Sequence, residues 1–159
     1  MSTVGTKYRG TKEYQLVYCK LLGAAQRHDE VLYTEVAEIL GIPTTGHHMA
    51  REVGQVLGEV SEDEHRAGRP MLSAVGVSVK GFPGDGFFTL ARSLGRLTSA
   101  DASEELPFWM AEEQKVYEAW QLKAVTTWQE RPDAQSSSRW LSGEIRQPTR
   151  RSPDHPPMR

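Results

Sequence analysis

The spacing of apolar residues along the first forty positions predicts two helices separated by a short strand. Apolar residues recur every three or four positions over 11–28, which indicates an amphipathic helix. Residues 31–33 are β-branched, aliphatic and aromatic, a composition typical of a brief strand. A second helix is expected over 35–40, with Thr34 as its N-cap and Gly41 in the left-handed position that ends it. The predicted order is therefore helix, strand, helix.

The middle of the chain predicts a third helix, a second strand and a glycine-rich turn. Residues 43–46 are expected to form a turn, and the apolar stripe that follows predicts a helix over 48–60. We expect a charged connection over 61–68, since most of its side chains are polar or charged. Over 71–79 a set of mostly larger residues alternates with a set of mostly smaller ones, a period of two that is typical of a strand. The first set is Met71, Ser73, Val75, Val77 and Val79, and the second is Leu72, Ala74, Gly76 and Ser78. The glycines within 80–86 predict a turn.

The last third of the chain predicts two further helices and then a segment without helical or strand periodicity. A short helix is expected over 87–94, a polar loop over 97–105 and a longer helix over 106–128. In this last helix the apolar stripe contains Trp109, Val116, Trp120 and Ala124, and the outward face contains Glu112, Glu113 and Lys115. Beyond residue 130 the serines, prolines and arginines cannot bury enough apolar area to offset the entropy of ordering.

Length and composition fit one domain and a tail. The chain has 159 residues, of which 38% are hydrophobic and 25% are charged, as in proteins with one compact core. We expect a flexible N-terminus over 1–10, one domain over 11–130 and a disordered basic tail over 131–159. No apolar run approaches the roughly 20 residues that span a bilayer, and the single cysteine, Cys19, excludes an internal disulfide. These features predict a soluble, cytoplasmic protein without a membrane partner.

The net charge of –2 is distributed unevenly along the chain. After Glu130 six arginines oppose three acidic residues, so that the tail carries +3 and the body carries –5. An acidic body disfavours non-specific binding to phosphate, which requires clustered lysine and arginine. A basic tail would strengthen such binding.

The predicted order of elements matches the layout of a winged helix-turn-helix. The expected fold is therefore α+β and mainly helical, with a small β-sheet and a C-terminal helix. In such folds the second helix of the pair presents its first turn to a DNA groove, and the loop after the strand contacts the DNA backbone. The residues predicted to contact double-stranded DNA are Tyr33, Thr45, His47, His48, Arg51 and Lys80.

Three motifs in this part of the chain resemble a known family of DNA-binding proteins. They are Tyr33-Thr34-Glu35-Val36-Ala37, Leu40-Gly41 followed by Pro43, and Arg51-Glu52-Val53-Gly54. Together, over 31–79, they are similar to the DNA-binding domain of the O6-alkylguanine alkyltransferases and alkyltransferase-like proteins. The resemblance implies that Arg51 enters the duplex in place of a flipped-out base and that Tyr33 helps to rotate the target phosphate.

The chemistry of that family is not expected here. At the place of the family's Pro-Cys-His-Arg-Val motif the chain has Pro70-Met71-Leu72-Ser73-Ala74-Val75. Alkyl transfer needs a reactive thiolate, and no Gly-x-Ser-x-Gly elbow surrounds Ser73. His48 and Glu52 have a spacing that suits a metal ion, but a metal site needs further ligands, and a solvated turn explains the same residues. We therefore expect no enzyme activity, no cofactor and no metal.

Two classes of function remain open. The leading hypothesis is a non-enzymatic DNA-binding protein of the regulator type, or a phage or defence accessory factor. Residues 68–74, 81–88 and 108–109 resemble a block that recurs in small bacterial or phage proteins. The alternative is a protein-interaction module, a homodimer or a partner-docking domain, that has the winged-helix shape without DNA binding. Its predicted interface is Trp109, Val116 and Trp120.

Overall fold

Helices make up most of the protein. The computed structural model describes residues 3–122, which form five α-helices and two short strands. The elements are α1 (Lys12–Gln26), β1 (Val31–Leu32), α2 (Tyr33–Leu40), α3 (Gly46–Arg66), β2 (Gly76–Val77), α4 (Asp85–Ser93) and α5 (Glu105–Trp120). The expected mainly helical α+β class is confirmed. Across these residues the helices lack the length and apolar character that crossing a bilayer requires.

The two strands form a small parallel sheet. Val31 lies opposite Gly76, and Leu32 lies opposite Val77. Parallel pairing needs a long crossover, and α2 and α3 provide it here. A winged helix carries an antiparallel hairpin after its second helix, whereas the sheet within residues 3–122 contains this parallel pair. The winged-helix part of the expected fold is therefore not confirmed.

The first two helices begin and end largely where local signals predict. The Thr11 hydroxyl accepts a hydrogen bond from the Tyr14 N–H at 3.2 Å and caps α1. The predicted N-cap of α2 was wrong, since the cap is Leu32 rather than Thr34. The Leu32 N–H is satisfied by the Glu35 carboxylate at 2.8 Å, which allows α2 to begin two residues earlier than predicted. Gly41 ends α2 with a left-handed φ of 68°, as predicted.

The third helix is longer than its apolar stripe predicts. The charged connection expected over 61–68 was wrong, because α3 continues to Arg66. Glu62 and Glu64 are buried in this part of the helix. Arg66 pairs with Glu62, and Arg69 pairs with Glu64 at 2.7 Å. The sequence pattern predicts that these carboxylates are solvated in a loop. In the structure the ion pairs take the place of water around them.

The strand expected over 71–79 was also wrong. Leu72–Val75 forms a 3-10 turn, and β2 contains two residues. Every residue over 71–77 is buried, so the larger and smaller side chains do not divide between a wet and a dry face. The segment instead passes through the centre of the fold, where the Ala74 carbonyl accepts a hydrogen bond from the Trp109 indole N–H at 2.8 Å.

The hydrophobic core lies around this central segment. α1, α3 and α5 each pack against the 3-10 turn. The apolar side chains of the core include Val17, Leu21, Val36, Val56, Val60, Met71, Leu72, Phe88, Trp109 and Val116.

The last helix uses its aromatic and apolar residues inside its own domain. Trp109 and Val116, which the sequence assigns to a partner interface, are buried in the core, so they are not available at the surface. Glu112, expected to point outward, is buried as well, because Arg96 pairs with it at 2.9 Å and the Met71 N–H donates to it at 2.8 Å. Residues 123–128 of the predicted helix and the predicted tail over 131–159 lie outside the described residues.

Candidate functional site

The start of α3 is the most exposed part of the α2–α3 pair. A turn over 41–45 joins α2 to α3, and the two helices pack against each other. Thr45 is the N-cap of α3, yet its side chain makes no capping hydrogen bond, and it is exposed. His47 and His48 are also exposed. The structure thus brings three of the predicted DNA-contacting residues together on one helix terminus.

Arg51 lies one turn further along the same surface. Its side chain is 72% exposed. Its Nη2 atom lies 3.0 Å from Nδ1 of His48, and its Nε atom donates to Glu52 at 3.2 Å. Because a guanidinium carries five N–H donors, these two contacts leave further donors for a ligand. In this contact the guanidinium donates and Nδ1 of His48 accepts the hydrogen bond, because a guanidinium has no acceptor.

Glu52 is the buried carboxylate closest to this surface, and it is already neutralised. Its side chain is 5% exposed, and the Lys7 ammonium pairs with it. The Tyr8 hydroxyl donates a hydrogen bond to the same carboxylate. The hydrogen bonds from Lys7 and then Tyr8 lower the pKa of Glu52 to about 2. Burial, together with Glu52, raises the pKa of Tyr8 to about 12. Lys7 and Arg51 therefore both pair with this one carboxylate.

Tyr33 and Lys80, the remaining predicted contacts, belong to α2 and to the loop between β2 and α4. Tyr33 is the first residue of α2, and its hydroxyl accepts a hydrogen bond from the Gly84 N–H at 2.9 Å. Lys80 is exposed in the loop between β2 and α4. A turn shapes this loop, in which the Ser78 N–H donates to the Phe82 carbonyl at 3.0 Å. Tyr33 therefore fixes one end of the loop that presents Lys80.

The second half of α3 presents its carboxylates to residues 3–9, which we call the N-terminal segment. Glu59 accepts hydrogen bonds from the N–H groups of Lys7, Tyr8 and Arg9. Burial alone would raise the pKa of Glu59, but the hydrogen bonds from Gln55 and from these backbone groups together lower it. The sequence predicts a flexible N-terminus here, whereas the structure places this segment along α3 through bonds to ionised carboxylates.

Further pairs hold the end of α3. Arg9 pairs with Glu62 at 3.1 Å and with Asp63 at 2.9 Å. Glu64 accepts hydrogen bonds from the Tyr18 hydroxyl at 2.9 Å and from Arg69. The acidic residues over 59–64 are therefore paired with groups of the same domain and do not form an open acidic surface.

A cavity between α3 and α4 is the feature that the sequence analysis missed. Its volume is about 570 Å³, and Tyr33, Met49 and Phe87 are among the residues that line it. The signal that could have revealed it is the pair Gly54 and Gly58, which leaves two positions on one face of α3 without side chains. A sequence pattern shows that such a face exists but does not show whether a neighbour fills it.

Two side chains that could act as nucleophiles, Ser73 and Cys19, lie outside α3, and Ser73 lines the cavity. Ser73 accepts a hydrogen bond from the Ser61 hydroxyl at 2.6 Å, inside the core. Cys19 is exposed on α1. Within the described part of the chain, no three His, Cys, Asp or Glu side chains are grouped as ligands for a metal ion.

We compared the chain with known families, proteins and structures. The chain matches no protein-family model, no curated protein and no solved structure. The similarity to the alkyltransferase DNA-binding domain therefore rests on the three sequence motifs.

Proposed function

We propose that the protein is a non-enzymatic, cytoplasmic DNA-binding protein that presents the start of α3 to double-stranded DNA. The observation that supports this most is the exposure of Thr45, His47, His48 and Arg51 on two successive turns of one helix. Glu52, the acidic residue next to them, is neutralised by Lys7 and Arg51. The positive end of the helix dipole adds to the attraction for phosphate.

Each contact has a distinct role in this proposal. A helix-turn-helix places the first turns of its second helix in the major groove. The free guanidinium donors of Arg51 suit the paired acceptors of guanine or a phosphate oxygen. His47 and His48 donate to neighbouring base edges or phosphates. This arrangement makes Arg51 the residue whose removal weakens DNA binding most.

The loop between β2 and α4 takes the place of a wing in this proposal. Lys80 is exposed in this loop, so its ammonium group is free to contact a phosphate of the DNA backbone. Tyr33 acts indirectly, because its hydroxyl holds the Gly84 N–H. The arginines of 131–159 add salt-dependent affinity.

The test compares two arginine variants of equal charge. Arg51→Ala removes the proposed contact, and Arg27→Ala removes an exposed arginine at the end of α1. Fluorescence anisotropy with a labelled duplex at low salt is expected to show about 10-fold weaker binding for Arg51→Ala. The affinity of Arg27→Ala should stay within about two-fold of the wild type. Equal effects of the two substitutions, or a wild type that does not bind duplex, would contradict the proposal.

A second candidate function is the protein-interaction module. Leu106 and Met110 lie one turn apart on α5, and 49% and 64% of their surfaces are exposed. Exposed apolar residues that cluster are typical of interaction surfaces. Of the predicted interface residues, Trp120 is half-buried beside Arg69. Light scattering after size exclusion would favour this function if the wild type is a dimer, Met110→Glu is a monomer and duplex DNA changes neither.

A further inference from the structure

The cavity between α3 and α4 has the size and lining of a site for a small molecule. Its volume of about 570 Å³ falls within the range of about 300–1,000 Å³ that is typical of ligand sites. Its apolar lining includes Val4, Met49, Val53, Leu57, Phe87 and Leu90. Among the lining residues within 3–122, Asp85 is the one that carries a charge, which disfavours an anionic ligand.

Gly54 lines this cavity without a structural need for glycine. It lies within α3, where glycine is less stable than alanine, and its φ is not left-handed. A Cβ atom at this position would meet no heavy atom within 4 Å. Neither packing nor backbone conformation therefore requires glycine here. Its effect is to leave the backbone of α3 open to close approach by an occupant.

Gly58 shows what the same type of residue does when it has a neighbour. One turn after Gly54, a Cβ atom at Gly58 would lie 3.4 Å from the side chain of Val4. Val4 is held in place because the Glu62 carboxylate accepts hydrogen bonds from the N–H groups of Thr3 and Val4, each at 2.7 Å. The N-terminal segment thus forms a wall of the cavity, and charge-assisted hydrogen bonds keep that wall in position. The site is preformed.

Tyr33 provides a polar anchor in this mainly apolar lining. Its hydroxyl oxygen accepts a hydrogen bond from the Gly84 N–H at 2.9 Å. Among residues 3–122, the Tyr33 hydroxyl donates no hydrogen bond. Burial raises the pKa of Tyr33 by more than the Gly84 hydrogen bond lowers it, so the phenol keeps its proton. A phenol in an apolar site donates to a carbonyl or ether oxygen.

We propose that this cavity binds a neutral, mainly apolar small molecule whose carbonyl or ether oxygen accepts the hydroxyl proton of Tyr33. A protein partner is disfavoured, because the surface inside the cavity is a small part of the about 800 Å² that each partner buries in a stable interface. The site goes beyond the proposed DNA contact. Met49 and Ala50 belong to both regions of α3, since they line the cavity and lie between His48 and Arg51.

The first test uses Prodan, a neutral naphthalene dye that carries a ketone and fluoresces at shorter wavelength in apolar surroundings. The wild type is expected to bind Prodan with a shift of the emission to shorter wavelength. Gly54→Leu places a side chain in the cavity, and its affinity should fall by at least about 10-fold. Ala111→Leu adds the same side chain to an exposed position of α5 and should bind as the wild type does. Circular dichroism verifies that both variants fold.

The second test addresses the anchor. Tyr33→Phe removes the proposed donor but keeps the ring, so the affinity for Prodan should fall by about 5-fold. The emission of the bound dye should also move to shorter wavelength, because its ketone no longer accepts a hydrogen bond. Unchanged affinity and emission in Tyr33→Phe would overturn the assignment of Tyr33.

Three outcomes would overturn the site as a whole. They are the absence of Prodan binding by the wild type, equal binding by Gly54→Leu, and a wild-type dimer in light scattering that Gly54→Leu abolishes. The last outcome would assign the cavity to a second copy of the chain. Arg51→Ala should keep wild-type affinity for Prodan, so failure of the DNA proposal leaves this test intact.

Discussion

The two halves of α3 use charge in opposite ways. Over 46–51 the polar side chains are exposed, and Arg51 keeps unused donors. Over 59–64 the carboxylates are buried or half-buried, and backbone amides, tyrosines and arginines bind them. The net negative charge of the body therefore does not predict the charge at the start of α3. Four of its acidic residues, Glu59, Glu62, Asp63 and Glu64, lie on the other half of the helix.

The N-terminal segment connects the two halves. Lys7 and Tyr8 bind Glu52 near the exposed end of the helix, and Arg9 binds Glu62 and Asp63 near the other end. Buried carboxylates are costly unless each one is paired and hydrogen-bonded. This segment supplies much of that compensation, which makes it part of the folded domain.

The largest expected effect is on the paired half of the helix. Glu59→Ala leaves three backbone N–H groups of the N-terminal segment without their acceptor, and the free energy of unfolding should fall by about 3 kcal/mol. Urea denaturation measures this. Glu38→Ala, at an exposed position of α2, is the control and should change the free energy of unfolding by less than about 0.5 kcal/mol. Similar values for both variants would show that the Glu59 contacts do not stabilise the fold.

A second effect depends on pH. The pKa of Glu52 is about 2 in the folded protein and 4.5 without its partners. A lowered pKa stabilises the folded state above pH 4.5, and this contribution is lost as the pH falls towards 2. Denaturation midpoints at pH 6, 4 and 3 should decrease in the wild type more than in Glu52→Gln. Parallel decreases in both proteins would argue against the proposed state of Glu52.

A smaller effect compares the two glycines of α3. Gly54→Ala should stabilise the protein by about 1 kcal/mol, because alanine favours the helix and its Cβ meets no atom within 4 Å. Gly58→Ala should gain less, since its Cβ would contact Val4 at 3.4 Å. Thermal unfolding distinguishes the two variants. A larger increase in stability for Gly58→Ala than for Gly54→Ala would contradict the description of Gly54 as open and Gly58 as filled by Val4.

Local signals predicted the parts of the fold that depend on neighbouring residues. The stripe of α1, the brief strand at Val31, and the left-handed Gly41 all follow from residues within a turn or two of each other. Such signals reflect backbone preferences that act before tertiary contacts form.

The missed features depend on residues far apart in the sequence. The end of α3 is helical because the N-terminal segment, some 50 positions away, binds its carboxylates. Residues 71–77 are buried on all sides because α1, α3 and α5 surround them. The exposed residues at the start of α3 could be predicted, since the helix boundary and the turn before it are local, whereas the cavity needs the packing of α4.

The most direct test of the central claim is the salt dependence of duplex binding by the wild type and Arg51→Ala. If the start of α3 contacts DNA, the variant binds about 10-fold more weakly at low salt, and its slope of log affinity against log salt is smaller by about one if Arg51 contacts a phosphate. Superimposable affinities for the two proteins at every salt concentration would contradict the account.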